Sequence, residues 1–246
     1  MIQVSVNNFS EWRIAARDLL VDGVRPAEVL WTGSGQNALF ASSTGRRLSG
    51  ASRVPKTFIG LAEAVACHSD NTRWGLLYSL LYRLVNENRN LLEIESDPEV
   101  RQARLMEKAV NRDVHKFHAF VRFRRLEIEG AELFVAWHEP QHYTVERAAP
   151  FFMRRFGEMQ FSILTPNGCA HWNKKELIFS RPVDRNCAPK ADEMEDFWLL
   201  YYKSIFNPFR LNVKTMKKEL PVRHWATLPE ALLIPELVRR AGGGNT

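Results

Sequence analysis

Between Asp97 and Trp137 the apolar residues change their period, and that change constrains the fold more than any other feature of the chain. Asp97-Pro98 is a strong helix start: an acceptor side chain at the N-cap, then a proline whose missing N–H costs nothing in a first turn. From there Met106, Val110, Val114 and Phe117 recur at four, four and three residues, the spacing of one helical face reaching about Phe117. Val121 and Phe123 then alternate with Arg122 and Arg124 at the strand period. Glu129-Gly130 offers a turn, and Leu133 to Trp137 reads as the returning strand. A helix leading into a hairpin predicts an α+β fold, mainly helical, with an antiparallel sheet built from hairpins.

The rest of the chain fits that class. Ser10 reads as the N-cap of a helix ending near Asp22-Gly23, with Trp12, Ala15, Ala16, Leu19 and Leu20 on one face. Val29 to Trp31 reads as a short strand. Thr32 to Pro55 is a Gly/Ser-rich loop with one strand around Ala38 to Phe40. Helices are expected over 57–67 and, after an Asn71 cap, over 72–87, where Leu76, Leu77, Leu80, Leu81 and Leu84 mark a buried element. Arg147 to Phe156 looks helical, with Pro150 restricting where it begins. Gln160 to Leu164 and Glu176 to Phe179 read as strands around a Thr165-Pro166-Asn167-Gly168 turn. A helical section from Asp192 to Ile205 breaks at Asn207-Pro208 and resumes near Asn212. The expected organisation is a single domain over 1–241, less regular over 1–56, with a flexible tail over 242–246.

With 45% hydrophobic residues in 246, a sizeable core is expected and disorder is not. Three scattered cysteines, never in a C-x-x-C pair, signal neither a disulfide framework nor a cysteine metal site. The N-terminus lacks a basic segment followed by an apolar run, and no stretch approaches the roughly 18 apolar residues of a membrane span. The expectation is a cytoplasmic chain with no membrane association, no metal and no cofactor.

The net charge of +6 is concentrated. Arg101 to Arg125 holds eight basic residues against Glu107 and Asp113, which equals the excess of the whole chain. Arg101, Arg104, Lys108, Arg112 and His115 fall on the helix face opposite the apolar stripe. Cations on one rigid face can neutralise successive phosphates, so Arg104, Lys108, Arg112, Lys116, Arg122 and Arg124 are the candidate nucleic-acid contacts, with DNA as the expected partner. The competing reading is a solvated face, since charge opposite an apolar stripe is what any surface helix shows.

His138-Glu139-Pro140-Gln141-His142 matches the zinc-protease pattern H-E-x-x-H, but that motif needs both histidines one turn apart on a helix. A strand leads into it and Pro140 lies inside it, so the zinc reading is rejected. Glu139, His142 and His171 remain as a looser acid/base set. Asp113 and His115 join them where the basic helix meets the hairpin, close in sequence to Lys116 and His118. Asp113, His115, Glu139, His142 and His171 are therefore the candidate catalytic residues, against the simpler reading of Asp113 as an ordinary ion-pair partner. No Walker, Rossmann or nucleophile-elbow motif is present.

Six ordered strings carry a family resemblance. They are Lys108 to Arg124, Val135 to His142, Ala149 to Phe156, Ser162 to Pro166 with Ala170-His171-Trp172, Tyr201 to Pro208, and Leu228 to Ala231. Together they resemble the domain-of-unknown-function family described as "probable DNA metabolism protein". Its members accompany a radical-SAM protein of DNA repair or are fused ahead of a UdgX-type uracil-DNA glycosylase. The resemblance implies a context, with either protein as a partner, rather than a mechanism. Uracil excision does not transfer, because the glycosylase half with its iron–sulfur cysteines is not in this sequence. Two positions depart from the family pattern: His138, where an aromatic is usual, and Asn173, where an aspartate is usual.

The functional expectation is a DNA-associated accessory protein of a repair or modification system. The alternatives are an enzyme acting on DNA, such as a nuclease or a base-modifying activity, and a protein-docking module that meets an acidic partner.

Overall fold

The computed structural model describes residues 1–33, 54–128 and 131–187, with seven further positions between Leu220 and Pro235. The chain divides into two compact units, Met1–Asp113 and Val114–Thr246.

In the first unit, strand β1 (Ile2–Ser5) leads into helix α1 (Phe9–Val21), and β2 (Val29–Thr32) returns parallel to β1 with Ile2 opposite Val29. Asn8, not Ser10, caps α1. Its Oδ1 accepts from the Glu11 amide at 2.9 Å, and the Glu11 carboxylate reaches back to the Asn8 side chain and the Asn7 amide. A cap paired with a glutamate three residues on satisfies orphan donors reciprocally, so the helix is capped two residues before Ser10, which lies inside its first turn. At the other end Gly23 takes φ +69°, with its amide bonded to the Leu20 carbonyl and that of Val24 to Leu19. That left-handed closure favours glycine.

Helices α2 (Lys56–Ala66) and α3 (Arg73–Asn86) lie where the periodicity puts them. The N-cap position is Thr72 rather than the expected Asn71 and makes no side-chain capping bond; Asp70 Oδ1 accepts from both the amide and the hydroxyl of Thr72 at 2.8 Å. The core gathers Trp12, Phe58, Leu61, Val65, Trp74, Leu77, Tyr78 and Leu80, joined by Val100, Ala103 and Met106 from helix α4 (Pro98–Phe120). Two of its polar groups find partners: the Trp12 indole donates to the Trp74 carbonyl at 3.2 Å and the Tyr78 hydroxyl to the Val24 carbonyl at 2.7 Å.

In the second unit a five-stranded sheet runs in the order β3 (Arg124–Ile128), β4 (Ala131–Trp137), β5 (Phe161–Leu164), β6 (Cys169–Trp172), β7 (Leu177–Ser180). It is mostly antiparallel, as expected, with one parallel pair: β4 reaches β5 through helix α5 (Val145–Arg155). Strand β3 begins at Arg124 rather than Val121, because α4 continues to Phe120 before the period changes. Strand β6, which the sequence reading passed over, follows the Thr165–Gly168 turn and separates β5 from the strand expected at 176–179. One sheet face packs Phe161, Ile163 and Ala170 against Phe117 of α4 and Ala148, Ala149 and Phe152 of α5. Pro150 sits inside α5 and not at its start. Leu228, Ala231 and Ile234 cluster with Phe120, Leu220 and Trp225.

The strand expected at Ala38 to Phe40, the sections from Asp192 and near Asn212, and the tail over 242–246 lie outside the described residues. Among the described residues no helix is long and apolar enough to cross a membrane.

Candidate nucleic-acid interface

Two carboxylates and an arginine set the start of α4. Asp97 Oδ1 accepts from the amides of Glu99 at 3.0 Å and Val100 at 3.1 Å, capping the helix as the sequence indicates. Arg83 on α3 pairs with Asp97 and, at 2.8 Å, with Glu99. These hydrogen bonds hold the Asp97 carboxyl below its usual range and raise the guanidinium further. The helix is thereby fixed in rotation as well as position.

Its two faces then separate as the periodicity requires. Val100, Ala103, Met106 and Val110 are buried, whereas Arg101, Arg104, Lys108 and Arg112 are exposed. At about 100° per residue the four cations fall within roughly 80° of arc. They are not equivalent. Arg104 is held by Glu107 at 3.0 Å, while Arg101, Lys108 and Arg112 have no acidic partner among the described residues. Asp113 belongs to the other face, on the flank of the apolar stripe and only 2% exposed.

The remaining sequence candidates lie in the second unit. His115 is exposed and Lys116 half-buried on the last turns of α4. Arg122 folds back onto that helix, donating to the Ala119 carbonyl at 2.7 Å and the Val121 carbonyl at 3.2 Å, so it closes the C-terminus. Arg124 starts β3 opposite Val135, and its neighbour Arg125 pairs with Glu132 at 3.3 Å.

The H-E-x-x-H string is not helical. It follows β4 as an extended loop, pinned where Asn167 donates to the carbonyls of Pro140 and His142 at 3.2 Å each. His138 is fully buried with its ring 4.4 Å from that of Phe117. This is the position where the family resemblance leads one to expect an aromatic, and the imidazole packs as one. Glu139 accepts from the Trp137 indole at 2.9 Å and faces Arg185 at 3.6 Å. His142 is 9% exposed.

His171 lies on β6 with Ser162 Oγ 2.8 Å from Nδ1 and Ser180 Oγ 2.8 Å from Nε2. Burial holds its pKa down, so it is neutral at pH 7. Glu139 and His171 thus take partners outside the predicted acid/base set. Among the described residues no three His, Cys, Asp or Glu side chains gather where they could hold a metal ion.

Comparison with known families is decisive on kinship. The profile of the domain of unknown function DUF4130 matches residues 71–230. The chain belongs to the DUF4130 family. No curated protein and no solved structure matches it. In this DUF4130 chain the matched stretch takes in α3, α4 and every element from β3 to β7, and leaves β1, α1, β2 and α2 outside.

Some features of the DUF4130 chain escaped the sequence reading. Ser162 and Ser180 became partners of His171 only through strand register, which no local motif records. On α5, Arg147, Phe151, Arg154 and Arg155 are all exposed, and among the described residues none of these arginines has an acidic partner. The signal was present as an aromatic four residues after one arginine and three before another. Asn173 accepts from the amides of Lys175 and Glu176 at 2.9 Å and so shapes the β6–β7 turn around Lys174, whose φ is +73°.

Proposed function

We propose that this chain is a DNA-associated accessory protein of a repair or modification system and binds nucleic acid through the exposed face of α4. One observation carries the reading: Arg101, Lys108 and Arg112 stand on the solvent side of a helix whose opposite side is core, with no carboxylate among the described residues to neutralise them. Unpaired cations at helical spacing release counterions from a phosphate backbone without reading its bases. Arg104, tied to Glu107, contributes less, while Arg122 serves the helix end. The companions implied by the family resemblance, a radical-SAM repair protein or a UdgX-type glycosylase, fit an accessory role in which one chain holds DNA and another performs the chemistry. Titrating single- and double-stranded DNA across a salt series tests this reading. Affinity at low salt with a steep salt dependence is expected, and its absence contradicts the reading.

A second reading, an enzyme acting on DNA, draws on one observation. His171 is held neutral between two hydroxyls, the state in which an imidazole can accept a proton. Incubation with uracil-containing, abasic and mismatched DNA, with and without divalent metal, decides it. An unchanged substrate in every case removes the enzyme from consideration.

A further inference from the structure

Helix α5 carries a charged aromatic face of its own. Val145, Ala148, Ala149 and Phe152 are buried against the sheet. Arg147, Phe151 and Arg154 lie opposite, within roughly 60° of arc at helical spacing, and all three are exposed. Phe151 is unusual for a surface residue in how it is held. Its ring stacks on the His118 imidazole at 4.2 Å and 24°, stands nearly perpendicular to that of Phe152 at 5.2 Å and 86°, and 36% of the residue remains open. His118 is itself fixed by a 3.2 Å contact between Nε2 and the Ala148 carbonyl. A rigid two-ring stack therefore ends at solvent, with an unpaired cation about one turn away on each side.

We propose that this face binds single-stranded nucleic acid, with an unpaired base stacked on the open face of Phe151 and neighbouring phosphates on Arg147 and Arg154. The inference rests on the nucleic-acid reading of the chain and names its substrate class. Stacking on an aromatic platform flanked by cations is the general means of holding a strand without reading its sequence. In a duplex both faces of a base are already covered by its neighbours, and an acidic peptide would engage the arginines and leave the ring idle. Only an unpaired base uses all three side chains.

The test is fluorescence anisotropy with the full chain, using labelled oligothymidylate, oligouridylate and a DNA duplex of the same length. Phe151→Ala and Phe151→Leu are expected to weaken binding to the single strands roughly tenfold or more and to leave the duplex nearly unchanged, while Phe151→Trp restores the single-strand affinity. Phe151→Leu keeps the apolar bulk against His118, so a loss of stacking is separable from a loss of fold. Equal single-strand affinity in wild type and Phe151→Leu overturns this inference and leaves the α4 reading standing. So does an equal loss on the duplex, which would make Phe151 a packing residue. If the wild-type chain binds no nucleic acid at low salt, the α4 reading falls and this inference falls with it.

Discussion

Arg83 and Asp97 meet through two guanidinium nitrogens and two carboxylate oxygens, and the same Asp97 carboxylate caps α4. One side chain thus closes a helix N-terminus and ties it to α3. Asp97→Ala removes both functions and is expected to cost about 1–3 kcal/mol, the sum of a lost cap and a partly buried pair discounted for screening. Asp97→Asn keeps a capping oxygen and should cost less. Because the folded carboxyl is held below its unfolded pKa, its contribution is complete above about pH 4 and fades as the pH falls through the folded value. Urea melts of the three proteins at neutral pH give the ordering; Asn costing as much as Ala would refute the capping role.

The buried side of α4 should fail as core. Val110 is fully buried, and Val110→Asp would place a carboxylate there without a partner. A loss of about 3 kcal/mol or more is expected, a large part of the roughly 5–15 kcal/mol that holds a typical domain. Thermal melting followed by circular dichroism reads this directly. A stable Val110→Asp protein would mean that α4 does not pack by this face.

Acid should weaken the second unit through two histidines. Burial lowers the pKa of both His118 and His171, so the unfolded chain takes up protons at a pH where the folded chain resists them. Their contribution is complete above the unfolded value near pH 6.5 and is lost as the pH falls toward the folded values. His68, lowered chiefly by burial, acts in the same direction in the first unit. Melting temperatures should fall between pH 7 and 5, and His171→Gln should flatten part of that slope. A melting temperature that holds steady or rises over this interval contradicts the burial of both rings.

What the sequence made legible follows from the range of the interactions concerned. Asp97-Pro98, the Met106-to-Phe117 spacing and the apolar run from Leu133 to Trp137 are local, and helix, hairpin and α+β class all follow from them. The cap at Asn8 was local too, but Ser10 hid it, because the decisive partner was Glu11. Strand β6 was passed over since Cys169 to Trp172 is short and carries no alternation of its own. Its place comes from pairing with β5 and β7. The parallel β1–β2 and β4–β5 pairs have the same cause: a crossover writes nothing into either strand. The basic face of α4 was readable from spacing, whereas the engagement of Arg104 by Glu107 and of Arg122 by the helix carbonyls was not, because spacing alone does not choose rotamers.

The most direct test of the central claim is the salt dependence of DNA affinity for wild type and for Lys108→Glu with Arg112→Glu. Both positions are exposed and without an acidic partner among the described residues, so the double reversal should leave the melting temperature nearly unchanged. Removing about two phosphate contacts should make the slope of log affinity against log salt shallower by nearly two units, with all DNA sequences weakened alike. A double variant that melts well below wild type, yet binds DNA with an unaltered slope per folded molecule, would show that these residues hold the fold and that α4 is not the phosphate-binding face.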